Sequence, residues 1–220
     1  MQQISATLDL LGYKAPKLIS YSYVLLEGDK MSTSAGTVVL VTDFMKAVRE
    51  QLIKEFNKRN NEITEDKLNI LVNACIKFTM LNVSKQKIVN FNLENATSFT
   101  GESGMYILYS IVRMNSILNN NKTKLTKEIK FEKEIENKIV KELSQFPELI
   151  NNLLKTNEPS QLTKYIFNLS GLFSKFYEEV NISNEQDIIL KSSRIRLLKC
   201  IQKVLTNSLK ILGIKTIEKL

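Results

Sequence analysis

The chain has 220 residues, 43% apolar and 25% charged, with a formal charge of +8. That length can bury a core and hold one large domain or two small ones. No apolar run approaches the roughly 20 residues that span a bilayer. Histidine is absent, which excludes Ser-His-Asp and Cys-His nucleophilic sites and the usual His-containing zinc sites. Neither GxGxxG nor GxxxxGK occurs, so no standard phosphate loop is encoded. The positive charge suggests an anionic partner, with nucleic acid first. Only five of the 31 basic residues are Arg, and the surplus of Lys, Asn and Ile also fits a codon bias. Charge alone therefore leaves nucleic-acid binding open. Cys75 and Cys200 match no metal-ligand spacing. Cys75 falls on an apolar helical face, as a buried thiol in a reducing, cytoplasmic setting would. The opening MQQISATLDLLGYK lacks the basic and apolar blocks of a secretory leader.

In chain order, Ile4, Leu8 and Leu11 share a face of a short helix over 1–14, with Gly12 placed as its C-cap. Tyr21–Leu26 and Thr37–Val41 are β-branched and aromatic runs of strand length. Between them stands GDKMSTSAGT. Beyond Thr42 the period turns helical through Phe44, Ala47, Val48, Leu52 and Phe56, with Thr42 or Asp43 as N-cap. Thr64 opens a second helix with the stripe Leu68, Leu71, Val72, Cys75, Ile76 and Met80. The Asn-rich stretch 89–100 reads as irregular, and a helix follows from about Ser103 to Leu118. Residues 119–126 form a low-complexity polar connector. Three further helices are expected over 127–154 with a break at Pro147, over 160–180 and over 186–212. A small α/β piece thus precedes a helical bundle, and two strands are too few for a sheet domain of their own.

Three groups of residues have chemical potential. Lys30 offers an ammonium group, and Ser32, Thr33 and Ser34 offer hydroxyl donors, between Gly28 and Gly36. Together they suit a polyphosphate, and equally an ordinary solvated turn. On the helix after Ser103, about 100° per residue brings Tyr106, Tyr109 and Arg113 onto one edge. Ile107, Ile111, Met114 and Leu118 form a separate core stripe. Two rings and a guanidinium make a platform for unstacked RNA bases, or a helix-packing edge with wet hydroxyls. On the last helix Arg196, Lys199, Lys203 and Lys210 share a basic face, either a phosphate track or a solvated surface. Arg194 lies nearer the apolar stripe of Leu198, Ile201 and Leu205, as a structural or an RNA-facing residue. Phe167, Phe173, Phe176 and Tyr177 read as bundle core.

KMSTSAGTVV, after a strand and before an Asp-led helix, resembles the KMSKS loop of class I aminoacyl-tRNA synthetases. It is similar in particular to the arginyl-tRNA synthetase family. LDLLGYK resembles the segment before that strand. ACIKFTMLNVSKQKIVNFNLENATSFTGESGMYILYSIVRMNSIL resembles the family's run into its anticodon-binding domain, and YIFNLSGLFSKFYEEV and RIRLLKCIQKVLTNSLKILGI resemble its last helices. The resemblance implies that Lys30, Ser32 and Thr33 serve adenylate formation, and that Lys30, Met31, Ser32, Ser34 and Gly36 face ATP with its magnesium ion. It also implies that Tyr106, Tyr109 and Arg113 occupy the matching positions of the family's GPYLQYAHAR helix, which faces the tRNA anticodon. Arg194, Arg196, Lys199 and Lys203 are further candidates for tRNA contact. Ser34-Ala35 replaces a frequent Arg-Lys, and the HIGH motif cannot be present without His.

The expected architecture is mainly α. Residues 1–42 would be a remnant of a Rossmann-type catalytic domain, 43–100 a connecting helical segment and 101–220 an anticodon-binding bundle. The implied whole is an arginine–tRNA ligase working through an arginyl-adenylate, with tRNA(Arg), ATP and arginine as partners. The segment alone would be inactive and bind no cofactor. A free-standing RNA-binding module, a cysteinyl-type synthetase and a protein-interaction bundle are the alternatives.

Overall fold

The computed structural model describes residues 2–16, 18–26, 29–30, 40–60, 62–121 and 123–219, with residues 2, 29 and 30 described by their backbone. Among these, α1 (Gln2–Leu10), β1 (Val24–Leu26) and β2 (Asp29–Lys30) precede the bundle. The bundle begins with α2 (Val41–Asn57), α3 (Glu65–Leu81), β3 (Val89–Phe91), α4 (Leu93–Thr97) and α5 (Gly104–Asn120). It ends with α6 (Glu134–Ser144), α7 (Phe146–Thr156), α8 (Pro159–Glu179) and α9 (Ile188–Ile211). The mainly helical expectation holds.

Local chemistry explains several helix ends. After α1, Gly12 takes φ +76°, a left-handed conformation that costs glycine nothing. The Tyr13 amide then donates back to the Leu8 carbonyl at 2.9 Å. Gly213 closes α9 in the same way, at φ +68°, with the Ile214 amide on the Leu209 carbonyl. The Ser103 hydroxyl accepts from the Tyr106 amide and opens α5, and the Asp187 carboxylate accepts from the Ile189 and Leu190 amides to open α9. Pro147 divides the long helix expected over 127–154 into α6 and α7, and residues 127–133 lie outside both.

Three expectations are corrected. The helix after the loop starts at Val41 with Leu40 as its N-cap, so neither Thr42 nor Asp43 is the cap. Both sit in the first turn, where the Asp43 carboxylate suits the positive helix end. Of the expected strand Thr37–Val41, Leu40 is extended, Val41 is helical and 37–39 lie outside the described residues. The Asn-rich stretch contains β3 and α4. β3 pairs in parallel with β1 (Val24 with Val89, Leu26 with Phe91), while β2 pairs antiparallel with β1 (Leu25 with Lys30). The three strands lie in the order β2-β1-β3.

One buried cluster joins α2, α3, α5, α6, α8 and α9, through Leu52, Phe78, Leu108, Ile139, Phe173 and Leu205 among others. The segment expected as a connector over 43–100 therefore packs into the same core as 101–220. By contrast, the surface before α2 is apolar and open: Leu10, Leu11, Tyr13, Leu18, Ile19, Tyr21 and Tyr23 are all exposed.

α5 comes close to α3 at Gly104, the first residue of α5. A Cβ there would meet the Ala74 carbonyl oxygen of α3 at 2.6 Å and the Phe78 Cβ at 3.0 Å. Gly104→Ala improves intrinsic helix propensity by about 1 kcal/mol, yet it must push α5 off α3, and overpacking costs about 1–3 kcal/mol. The clash with backbone should win. Urea unfolding should show a lower midpoint with an unchanged slope; a midpoint at or above the parent's would show that α5 backs away freely.

Candidate nucleic-acid interface

The edge of α5 predicted from spacing is formed, but its three residues do different things. Tyr106 leans on the Phe167 ring of α8 at 5.7 Å. Its hydroxyl shares a hydrogen bond with the Ser174 hydroxyl at 2.9 Å and donates to the Ser170 carbonyl at 3.3 Å. It pins α5 to α8. Tyr109 is half-buried, edge-on to Phe99 at 6.0 Å, and its oxygen accepts from the Arg113 Nη2 at 2.9 Å. The Arg113 guanidinium sits 4.8 Å from the Tyr109 ring centre and 4.6 Å from that of Tyr177.

Arg113 is thus held between two rings, and among the described residues it is in no ion pair. Each cation–π contact contributes about 0.5–1 kcal/mol at a surface site. The series continues through the buried Phe99 ring to the exposed Arg59, whose guanidinium lies 4.0 Å over it. Tyr177 was expected in the core. It is instead 43% exposed, at the outer end of this stack. Its place one turn after the fully buried Phe173 made it look like core. The signal that sets it apart is a phenol near the end of α8, followed by two glutamates.

Beside Tyr177 lies a cleft of about 400 Å³ between the ends of α5 and α8, lined in part by Asn120, Asn121, Asn181 and Ser183. The Asn121 amide donates to the Ile117 carbonyl and the Ser183 hydroxyl. The cleft sets side-chain amides and the Glu178 carboxylate beside the Phe176 and Tyr177 rings, a lining with polar edges and aromatic faces of the kind unstacked bases use.

On α9 the basic residues divide sharply. Arg194 is almost completely buried, its Nε donating to Glu136 at 2.6 Å and its Nη1 to Glu185 at 2.5 Å. Two carboxylates neutralise it, and it ties α9 to α6 and to the segment before α9. Hydrogen bonds from the amides of Asp187 and Gln186, together with the nearby Arg194 charge, hold the Glu185 carboxyl below its usual range. Arg196 is half-buried and donates to the Thr126 carbonyl. Lys199, Lys203 and Lys210 are exposed. Cys200, between Lys199 and Lys203 in sequence, is exposed, whereas Cys75 is buried, and burial pushes its thiol far above the usual range.

Of the loop residues, Lys30 is described as the backbone of β2, opposite Leu25. Met31, Ser32, Thr33, Ser34 and Gly36 lie outside the described residues. Among the described residues no cluster of His, Cys, Asp or Glu is arranged to hold a metal, and no helix is long and apolar enough to cross a membrane.

The bundle thus presents an aromatic–arginine edge and a last helix with exposed basic residues. The chain belongs to the DALR anticodon binding domain family, whose model matches residues 107–220. Its curated relatives are arginine–tRNA ligases. It is 34% identical to that of Clostridium beijerinckii, over 100% of this chain and 40% of the relative. To that of Sulfolobus acidocaldarius it is 31% identical, over 99% of this chain and 36% of the relative. The chain therefore spans about 40% of the length of the first of these relatives. The fold is shared with the solved arginyl-tRNA synthetase of Thermus thermophilus, at a TM-score of 0.86 and 23% identity, over 99% of this chain and 38% of that one. It is shared also with that of Plasmodium falciparum, at a TM-score of 0.80 and 20% identity, over 99% and 39%.

Removing one partner of a buried ion pair strands the other charge, at a cost of about 3–5 kcal/mol. Arg194→Ala should therefore lower the thermal midpoint more than Arg196→Ala, which loses one charge-assisted hydrogen bond worth about 1.5–3 kcal/mol. Equal losses in the two variants would show that the Arg194 network carries no special weight.

Proposed function

We propose that the chain is the tRNA-facing C-terminal part of an arginine–tRNA ligase, which joins arginine to tRNA(Arg) with ATP through an arginyl-adenylate. The observation that carries the proposal is the collinear match of the whole chain to arginine–tRNA ligases. The open Tyr109–Arg113–Tyr177 stack within the matched anticodon-binding region supports it. In this reading residues 101–220 receive the anticodon region, 43–100 connect, and 1–42 belong to the catalytic domain. The exposed apolar surface before α2 suits that arrangement, because a neighbouring domain would cover it. Work in the cytoplasm fits a chain whose Cys75 stays a buried free thiol.

Unstacked bases would rest on Tyr109 and Tyr177, with Arg113 held flat between the rings and its charge left uncancelled by carboxylate. Stacking is worth about 1–3 kcal/mol per base. Tyr106 would act through its hold on α8 and not by touching RNA. Tyr109→Ala should weaken binding of a tRNA(Arg) transcript about 5- to 150-fold in fluorescence anisotropy, with the circular dichroism spectrum unchanged. Undiminished affinity would end the stacking role.

For the loop, the proposal assigns Lys30, Met31, Ser32, Thr33, Ser34 and Gly36 to the ATP phosphates, with a magnesium ion as the nucleotide's counterion. Lys30 would supply charge to the departing pyrophosphate, an electrostatic contribution. In a ligase containing both this chain and the catalytic half, Lys30→Ala should slow adenylate formation at least tenfold. Its affinity for tRNA should not change. Unaltered pyrophosphate exchange would remove Lys30 from the reaction.

A further inference from the structure

The connector between α5 and α6 is a low-complexity, lysine-rich run in sequence, yet it is fastened to α9. The Thr126 amide donates to the Ser192 hydroxyl at 2.8 Å, and the Lys130 amide donates to the Ser193 hydroxyl at 2.9 Å. The Thr126 carbonyl accepts from the Arg196 Nη2. Lys130 adds ion pairs to Asp187 and Glu132. These contacts engage the backbone of Thr126 and the amide of Lys130, while Lys124 and Lys127, on either side of Thr126, are exposed.

Arg196 is the unusual group at this crossing. Its half-buried guanidinium is in no ion pair among the described residues. Its Nε is buried without a hydrogen-bond partner. Two residues away Arg194 has two carboxylates, so the fold has the means to neutralise an arginine here and does not do so at Arg196. Lys199 and Lys203 continue the same face of α9, one and two turns along, and both are exposed and in no described ion pair. Of the two acids in the connector, Glu132 is paired with Lys130, and Glu128 stands against Lys124, Lys127, Arg196, Lys199 and Lys203. A partly desolvated cation without a counter-charge is costly, and an anion arriving at the surface removes that cost.

We infer that the connector and the adjoining face of α9 form a seat for an RNA phosphodiester backbone. It is built from Arg196, Lys124, Lys127, Lys199 and Lys203, and it is separate from the aromatic stack. The identity of the RNA rests on the function proposed above; the seat itself is sequence-blind, since phosphate contacts position without specifying. It would grip the strand that leaves the stacked bases, because the connector begins at Asn121, in the wall of the cleft beside Tyr177.

The test is the salt dependence of binding, measured by anisotropy from 50 to 300 mM KCl with a tRNA(Arg) transcript and with poly(U). Each lost phosphate contact lowers the logarithmic slope by about 0.7–0.9. Lys124→Gln/Lys127→Gln should therefore flatten the slope by about 1.5 with both RNAs, while the melting temperature stays unchanged. A control, Lys141→Gln/Lys155→Gln, removes the same charge from α6 and α7 and should leave the slope as it was. An unchanged slope in the connector variant, an equal loss in the control, or no binding of either RNA by the parent would each overturn the seat. If the parent binds poly(U) with the expected slope change but shows no preference for tRNA(Arg), the seat stands and the ligase reading falls.

Discussion

A single buried cation organises the second half of the molecule. Arg194 enters the interior from α9, and a guanidinium cannot shed its proton to escape desolvation. It must be met by charge. Glu136 from α6 and Glu185 from the turn before α9 meet it. The second oxygen of Glu136 also accepts the amides of Glu132 and Lys133, at 2.7 Å each. One carboxylate thus starts α6, ends the connector and fixes α9. In free energy the network gains little over an apolar replacement of the same shape. Its effect is directional: it allows one rotation of α9 against α6. Arg196, two residues on and about 200° round the helix, is thereby turned toward the connector.

Three of the five arginines show how compensation decides availability. Carboxylates surround Arg194, and an anionic ligand gains nothing there. Arg113 is compensated by the faces of Tyr109 and Tyr177, which orient it without cancelling its charge. Arg196 is met by a carbonyl oxygen alone. Arg194 is buried and neutralised, whereas Arg113 and Arg196 are half-buried and keep their charge. In each case the deciding fact is what the guanidinium faces.

Much of the fold was legible because helices announce themselves by period and by caps. The stripe from Leu68 to Met80, the Ser103 start of α5, the Pro147 break and Gly213 all appear where the sequence places them. What was illegible is what depends on distant partners. β3 is three residues long and exists because Val89 and Phe91 meet β1 across more than sixty positions of chain. The edge of α5 was visible from spacing, but not the division of labour between Tyr106 and Tyr109, which the serines of α8 impose. Tyr177 hid among core aromatics, because a helical wheel gives angle and not depth. The helical period puts Arg194 near the apolar stripe, but its two carboxylates lie 58 and 9 residues away in sequence.

The two cysteines offer a built-in pair of reporters. Cys200 is open to solvent on the basic face of α9, and Cys75 is sealed in the core. A thiol reagent should mark the first in the native state and reach the second only through opening of the bundle. A dye on Cys200 would then follow the approach of a polyanion in real time. The slower modification of Cys75 would give the opening free energy of the same molecules, and neither reading would need an engineered residue.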